Sequence, residues 1–172
     1  MKKFLLPLLF LVFFIAESLF VQFLPAKFFG FQRIFAPHFL FIGLVFLTIF
    51  VGRKQGIIYG AVFGLLYDIV YVEVLGIYFF LFPFICYLVS KVMHVIHANL
   101  LTAFLVSLMG MALLEIGVYE MDTLIHITGM DFINFLNLRF YPTLLLNVIF
   151  LGILCYPLKR LFEKYALRLR EE

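Results

Sequence analysis

Long apolar runs, separated by short segments that hold most of the charged residues, dominate the chain. A transmembrane helix needs about 20 mostly apolar residues. Six runs come near this length, at about residues 4–24, 35–51, 56–71, 76–92, 100–119 and 140–158. Because the runs are continuous and do not alternate, they predict helices and not membrane strands. The expected fold class is one all-α transmembrane domain, a six-helix bundle over residues 1–172, whose residues 159–172 form a basic cytoplasmic tail.

Composition supports the same class. Hydrophobic residues make up 66% of the chain and charged residues 13%, against roughly 45–50% and about 25% in soluble proteins. This excludes a soluble enzyme, a nucleic-acid-binding protein and a disordered chain. Cys86 and Cys155 both lie in apolar runs, which argues against a disulfide framework or a metal knuckle.

The first run is interpreted as a retained helix. It is longer than the apolar core of a signal peptide, which has roughly 7–15 residues, and the stretch from Phe14 to Glu17 lacks a cleavage pattern of small residues.

The distribution of Lys and Arg predicts the orientation, because cytoplasmic loops carry an excess of these residues. With the N-terminus inside, ten basic residues lie on the inner side and three on the outer side. The inner ones are Lys2, Lys3, Arg53, Lys54, Lys91, Lys159, Arg160, Lys164, Arg168 and Arg170, and the outer ones are Lys27, Arg33 and Arg139. Both termini are therefore expected inside, in a protein that crosses its membrane several times. The segment 159–170 is expected to form a basic helix at the inner surface.

The outer loops are expected to lie in the membrane interface. Residues 25–36 are rich in phenylalanine, and Asp131 can cap a short helix in which Phe132, Phe135 and Leu136 share one face. An irregular loop is the alternative.

Three acids inside the spans are candidates for a polar site, because charges within a bilayer are costly and usually functional. With the predicted orientation, Glu17, Asp68 and Glu115 all lie in the outer half of the membrane. Arg139 lies at the mouth of the last span, at similar depth. Either these groups pair with one another, or Asp68 and Glu115 are solvated at the interface. Acids confined to the outer half argue against a proton or ion relay.

Small and polar residues recur every fourth position in three spans, which is typical of close helix contacts. The stripes, each of which leads to a charged residue, are Gly56, Gly60, Gly64 and Asp68; Ala103, Ser107, Met111 and Glu115; and Arg139, Thr143 and Asn147. We predict helix packing at Gly60, Gly64, Ala103 and Ser107. We also predict a polar cluster or partner contact that contains Glu17, Asp68, Glu115, Arg139 and Asn147. Pro142 is expected in the first turn of its helix, where it breaks no hydrogen bond.

No catalytic constellation, cofactor motif or phosphate-binding loop is present in the sequence. His94 and His97 lack a third ligand for a metal, and His38 and His126 are expected at the outer interface. We therefore expect neither an enzyme nor a cofactor or metal.

Several motifs together resemble the rod shape-determining protein MreD family of Gram-positive bacteria. They are Tyr59-Gly60-x-x-x-Gly64-Leu65-x-Tyr67-Asp68, Leu75-Gly76-x-Tyr78, Pro142-Thr143-x-x-x-Asn147 with Tyr156-Pro157, the opening Lys2-Lys3-Phe4-Leu5-Leu6-Pro7, and Ala16-Glu17-Ser18. The resemblance covers essentially the whole chain.

The resemblance implies a non-enzymatic membrane scaffold of the cell-elongation machinery, which maintains rod shape. Implied partners are MreC, MreB filaments (indirectly or via MreC), a SEDS polymerase and a class B penicillin-binding protein, with membrane lipid around the bundle and no nucleic acid. The implied fold is similar to the substrate-binding subunits of energy-coupling-factor transporters. The alternative function is a small-molecule or lipid-binding subunit of a transporter, which would leave an open pocket with unpaired polar groups.

Overall fold

The computed structural model describes residues 5–23, 27–28, 31–72 and 74–170 of the chain. Its helices are α1 (Leu5–Phe23), α2 (Phe39–Phe50), α3 (Arg53–Tyr71), α4 (Ile77–Met93), α5 (Leu100–Leu124), α6 (Phe132–Phe135) and α7 (Tyr141–Arg170). A π-helical turn, Leu136–Phe140, joins α6 to α7. The expected all-helical class is confirmed, apart from one short hairpin. Lys2 and Lys3, which entered the analysis of charge, lie outside the described residues.

The hairpin was not predicted from the sequence. Strands β1 (Lys27–Phe28) and β2 (Phe31–Gln32) pair antiparallel, with Lys27 opposite Gln32. The interval between α1 and α2 thus contains regular structure.

Six helices, α1 to α5 and α7, run up and down, so that each packs antiparallel to the next along the chain. We define the polar end of the bundle as the end that holds Glu17, Asp68 and Glu115. Here α1, α3 and α5 approach their C-termini, while α2, α4 and α7 begin. The basic end is the opposite one, and its cations are Arg53, Lys54, Lys91, Lys159, Arg160, Lys164, Arg168 and Arg170.

Helix α2 is the centre of the bundle. It packs against α1, α3, α4, α5 and α7, and every residue from Phe39 to Thr48 is buried. The five surrounding helices instead expose many large apolar side chains, such as Leu8, Val62 and Ile153. A surface of this kind suits a hydrocarbon solvent, because water would disfavour so much exposed apolar area.

Three of the described helical stretches are long and apolar enough to cross a membrane: Leu6–Phe23, Leu100–Leu124 and Phe132–Leu169. Helices α2 and α4 are apolar but shorter, with 12 and 17 residues. Twelve residues extend only about 18 Å, which is less than the roughly 30 Å of a bilayer core. The central helix is therefore enclosed by protein and does not by itself have the length of a full span.

The C-terminal segment is helical, as expected, but it is continuous with the helix before it. Residues 159–170 continue α7 through Pro157 as one helix of 30 residues and do not form a separate surface helix. The ring of Phe162 is fully buried and lies 6.3 Å from the ring of Phe10 in α1. This contact holds the end of α7 against the bundle.

Helices α3 and α4 approach each other most closely at glycines. A Cβ atom on Gly64 would lie 2.4 Å from the carbonyl oxygen of Tyr78, and one on Gly60 would lie 3.1 Å from the backbone nitrogen of Pro83. Since both neighbours are backbone atoms, they cannot move aside as a side chain does. The stripe of small residues on α3 thus faces α4, whereas Gly56 faces Thr48 of α2.

Candidate functional site

Asp68 binds the start of α4. Its carboxylate accepts hydrogen bonds from the backbone N–H groups of Gly76, Tyr78 and Phe79, each at 2.9 Å. The first N–H groups of a helix have no partner within the helix, and a negative charge is favourable at this end of the helix dipole. Gly76 has a positive φ of 117°, a backbone conformation that favours glycine. Asp68 is fully buried, and its carboxylate obtains its hydrogen bonds from these N–H groups at the start of the next helix.

Glu17 plays a related part at the start of α2. Its Oε1 accepts a hydrogen bond of 2.8 Å from the N–H of Leu40, in the first turn of the helix. Its Oε2 has no hydrogen-bond partner among the described residues. Glu17 is 3% exposed. Two of the three span acids therefore accept hydrogen bonds from the N-termini of neighbouring helices and do not pair with a basic side chain among the described residues.

The third acid, Glu115, lies between two basic side chains. Its Oε2 is 3.0 Å from Nε of Arg139, and its Oε1 is 2.5 Å from Nε2 of His38. Glu115 is fully buried and His38 is 1% exposed, whereas Arg139 is 25% exposed. Such charge-assisted contacts are stronger than neutral hydrogen bonds. The structure brings Arg139 to Glu115 and leaves Glu17 and Asp68 without an ion pair among the described residues.

His38 corrects an expectation, because it is not at the interface but in the core of the bundle beside Glu115. It directly precedes α2, and its backbone N–H donates to Oδ1 of Asn147 at 2.9 Å. The sequence signal that points to this site is weak: a histidine after a proline at the start of an apolar run.

An extended segment, residues 33–38, lies along the start of α7. The N–H of Ile34 donates to the carbonyl of Leu138 at 2.8 Å, and the N–H of Ala36 donates to Oγ1 of Thr143 at 3.1 Å. The backbone N–H groups of Ile34, Ala36 and His38, at every second position of the segment, thus all donate hydrogen bonds to residues in or just before α7. Two extended residues advance about 6.6 Å, and four helical residues advance about 6 Å. The two periods match, which explains why Thr143 and Asn147 recur at a spacing of four.

Asn147 completes this contact from α7. Its Nδ2 donates to the carbonyl oxygens of Ala36 at 2.9 Å and of Thr143 at 2.8 Å. The oxygen and the nitrogen of its side-chain amide both form hydrogen bonds, and the side chain is fully buried. Asn147 therefore joins the extended segment to α7 through hydrogen bonds to backbone groups.

Pro142 lies in the first turn of α7, as expected, but α7 is not the start of this helical stretch. Helical structure begins ten residues earlier, at Phe132, and passes through the π-helical turn before α7. A proline inside a helix leaves the carbonyl four residues before it without its N–H partner. That carbonyl belongs to Leu138, and it accepts the hydrogen bond from Ile34 instead. Arg139 lies in the same turn, so Pro142 helps to shape the backbone that presents it.

The connection before this turn is anchored by aromatic rings. Asp131 lies at the N-cap position of α6, as predicted, but its side chain makes no capping hydrogen bond. Phe135 is 2% exposed and stacks on Tyr119 with 4.2 Å between ring centroids. The Tyr119 hydroxyl donates to the carbonyl of Met130 at 2.9 Å. These contacts attach the connection to α5, close to Glu115.

Ala103 and Ser107 are both fully buried on α5. The Ser107 hydroxyl has no hydrogen-bond partner among the described residues. Both residues lie on the stripe that ends at Glu115.

A polar opening of about 270 Å³ lies beside the charged groups. Tyr71, Tyr78, Asp122 and Arg139 contribute its polar lining. The described residues contain no group of three or more His, Cys, Asp or Glu side chains that could hold a metal ion.

Comparison with known proteins gives the family. The protein-family model described as rod shape-determining protein MreD matches residues 2–165 of the chain. The chain belongs to the MreD family. It is 39% identical over 172 residues to the rod shape-determining protein MreD of Bacillus subtilis, with full coverage of both chains. It is 31% identical over 132 residues to the cell shape-determining protein MreD of Streptococcus pneumoniae, which covers 77% of this chain and 78% of that one.

Membership of the MreD family confirms the resemblance seen in the sequence and supports a role in cell shape. MreD is a shape-determining family and not a known enzyme family. No solved structure matches the chain significantly, so the expected likeness to energy-coupling-factor subunits has no support.

Proposed function

We propose that this MreD-family chain is a non-enzymatic membrane scaffold of the cell-elongation machinery. In this role it binds MreC and helps to couple MreB filaments to a SEDS polymerase and a class B penicillin-binding protein. The observation that carries the proposal is the internal pairing of its buried charges. A scaffold uses such groups to fix its own geometry, whereas a binding protein keeps them available for a ligand.

Two of the three acids support this interpretation directly. Asp68 is satisfied by three backbone N–H groups, and Glu115 is satisfied by His38 and Arg139. Leaving such charges without a partner in a bilayer is costly. The pairing also argues against the alternative of a transporter subunit that holds its ligand at these residues.

We propose that the polar end lies at the outer face of the cytoplasmic membrane. Among the described residues, the basic end carries Arg53, Lys54, Lys91 and the five Lys and Arg residues of α7, while Lys27, Arg33 and Arg139 lie toward the polar end. Cytoplasmic segments are the ones enriched in Lys and Arg. The helices α1, α2, α3, α4, α5 and α7 then run alternately outward and inward, with α2 enclosed by the others, and the start of α1 and the end of α7 lie inside.

In this orientation the charged groups order the surface that meets MreC. Arg139 is held by Glu115 on one side and remains 25% exposed on the other, beside the polar opening. A guanidinium has several N–H donors, so contact with Glu115 leaves donors for a partner. The polar end is thus the part of the scaffold that we assign to the external segment of MreC.

The test uses Bacillus subtilis cells that lack their own MreD and express this chain with an affinity tag. We expect rod width to be restored and MreC to be recovered from detergent-solubilised membranes. The Arg139→Leu variant should recover less MreC, whereas Arg160→Leu, at the basic end, should recover as much as the unmodified chain. Restored rods without recovery of MreC would contradict the scaffold contact, and a bound small molecule in place of MreC would favour the transporter alternative.

A further inference from the structure

An apolar groove lies between the start of α1 and the end of α7, at the basic end. Its volume is about 380 Å³, within the roughly 300–1,000 Å³ of small-molecule sites. Leu6, Leu8, Leu9 and Val12 line it from α1, and Leu161 and Tyr165 line it from α7. The rings of Phe10 and Phe162, buried nearby, keep the two helices in contact.

Two cations border the same groove. Lys164 and Arg168 are four residues apart on α7, so they lie on one face of the helix. Both are exposed, and within the part of the chain that the structure describes neither forms an ion pair. Their charges therefore lie at the rim of a cleft whose interior is apolar.

The combination indicates the chemistry of the occupant. Inside a bilayer, an apolar cleft alone does not favour one molecule over another, since lipid tails are as apolar as leucine. Any preference must come from Lys164 and Arg168, which attract a negative head group. Basic side chains near the membrane surface attract anionic lipids in this way.

The lining also distinguishes a lipid chain from a partner helix. Close contacts between transmembrane helices use small residues, which let the backbones approach. This groove is lined by leucines, valine and tyrosine. Such a branched, uneven surface is better filled by a flexible acyl chain than by a second helix.

We propose that this groove binds one anionic phospholipid of the surrounding membrane, with an acyl chain along the leucines and the phosphate between Lys164 and Arg168. The site is distinct from the polar end and does not depend on MreC. It makes the junction of α1 and α7 sensitive to the charge of the lipid around it.

The experiment uses the purified full-length chain in nanodiscs of phosphatidylcholine with a minor fraction of phosphatidylglycerol. Native mass spectrometry counts the lipids that remain bound after mild delipidation. We expect one retained phosphatidylglycerol, with retention lowered about fivefold for each charge removed in Lys164→Gln/Arg168→Gln, which corresponds to about 1 kcal/mol per charge. The matched control, Lys159→Gln/Arg160→Gln, removes the same charge from α7 outside the groove and should retain the lipid.

A second variant tests the cleft itself. Val12 is 53% exposed at the groove wall, so Val12→Trp should fill the cleft without disturbing the core. We expect it to lose the retained lipid although both cations remain. Equal losses from the two charge variants would overturn the proposal in favour of general attraction to the basic end. Retention of phosphatidylcholine equal to that of phosphatidylglycerol would also overturn it, as would a Val12→Trp variant that retains the lipid. A partner protein that cross-links to position 12 in native membranes would overturn it as well.

Discussion

His38 and Glu115 form a buried contact of 2.5 Å between the residue that precedes the central helix and the middle of the membrane-length helix α5. Glu115 also binds Arg139, so one carboxylate links α2, α5 and the turn before α7. At its polar end the bundle is therefore held together by Glu115, which binds both His38 and Arg139. Removal of either basic group leaves the carboxylate with half of its partners.

The Glu115–Arg139 pair should behave as a coupled unit. Removing one member of a buried pair orphans the other, so Arg139→Leu and Glu115→Gln should each destabilise the protein. The double variant should be less unstable than the sum, with a coupling energy between about 0.5 and 3 kcal/mol. Thermal unfolding in detergent measures this. The control cycle, Arg139→Leu with Asp68→Asn, should be additive, because no ion pair joins those residues. Additivity in both cycles would show that Glu115 and Arg139 act independently.

Asp68→Ala should be among the most damaging single changes. It leaves three N–H groups at the start of α4 without their acceptor. Loss of a cap and of buried hydrogen bonds together should cost about 2–4 kcal/mol of unfolding free energy. The matched control is Asp131→Ala, since Asp131 lies at an N-cap without a side-chain bond and should be nearly neutral. Similar unfolding midpoints for the two variants would contradict this role of Asp68.

Glu17 should tolerate loss of its charge but not loss of its acceptor. Only Oε1 has a hydrogen-bond partner among the described residues, and the carbonyl of a glutamine can accept the same bond from Leu40. Glu17→Gln should therefore stay within about 1 kcal/mol of the parent, whereas Glu17→Leu should lose about 1–3 kcal/mol. Unfolding of the two variants in detergent decides the matter. A Glu17→Gln variant as unstable as Glu17→Leu would mean that the negative charge itself is needed.

Gly64→Ala tests the contact between α3 and α4. The added methyl group would lie 2.4 Å from a backbone oxygen, so the helices must separate. Overpacking of this kind costs about 1–3 kcal/mol. Gly152→Ala is the control, because nothing lies within 4 Å of its added Cβ, and it should be neutral or slightly stabilising. Equal stability of the two variants would show that this close approach is not required.

Reporter fusions test the proposed orientation. Fusions after Tyr71 and after Asp122 lie at the polar end and should report an external position, whereas one after Lys54 should report an internal position. The bias of Lys and Arg toward the basic end is the physical reason. An external fusion after Lys54 would reverse the orientation and move the polar end to the cytoplasm.

The sequence was sufficient to predict the helices and the placement of the three span acids at one end of the bundle. Continuous apolar runs give the helices, and alternation of direction brings Glu17, Asp68 and Glu115 to one end. The fourfold spacing of Thr143 and Asn147 also indicated a polar face. These features depend on local composition and on helix periodicity, which a single sequence contains.

The partners of these residues could not be predicted in the same way. Glu17 and Asp68 bind backbone N–H groups, and every residue except proline offers one, so no residue type marks such a partner. His38 follows Pro37 in a segment that resembles a loop, and only the tertiary fold brings it to Glu115, 77 positions away. The short hairpin and the continuous α7 were missed because two-residue strands carry little pattern and the change from apolar to basic residues at position 159 ended the predicted span.

The enclosure of α2 has a consequence for biogenesis. Helix α2 is too short to be stable as an independent span, and the N–H of His38 at its start is bonded to Asn147, which is 109 residues further along the chain. During synthesis this helix emerges early, yet its last hydrogen-bond partner arrives only with α7. In the nascent protein, the most apolar helix therefore lacks this hydrogen bond and its packing against α7 until translation is nearly complete. A chain released before α7 should be a substrate for membrane proteases and not a smaller functional bundle.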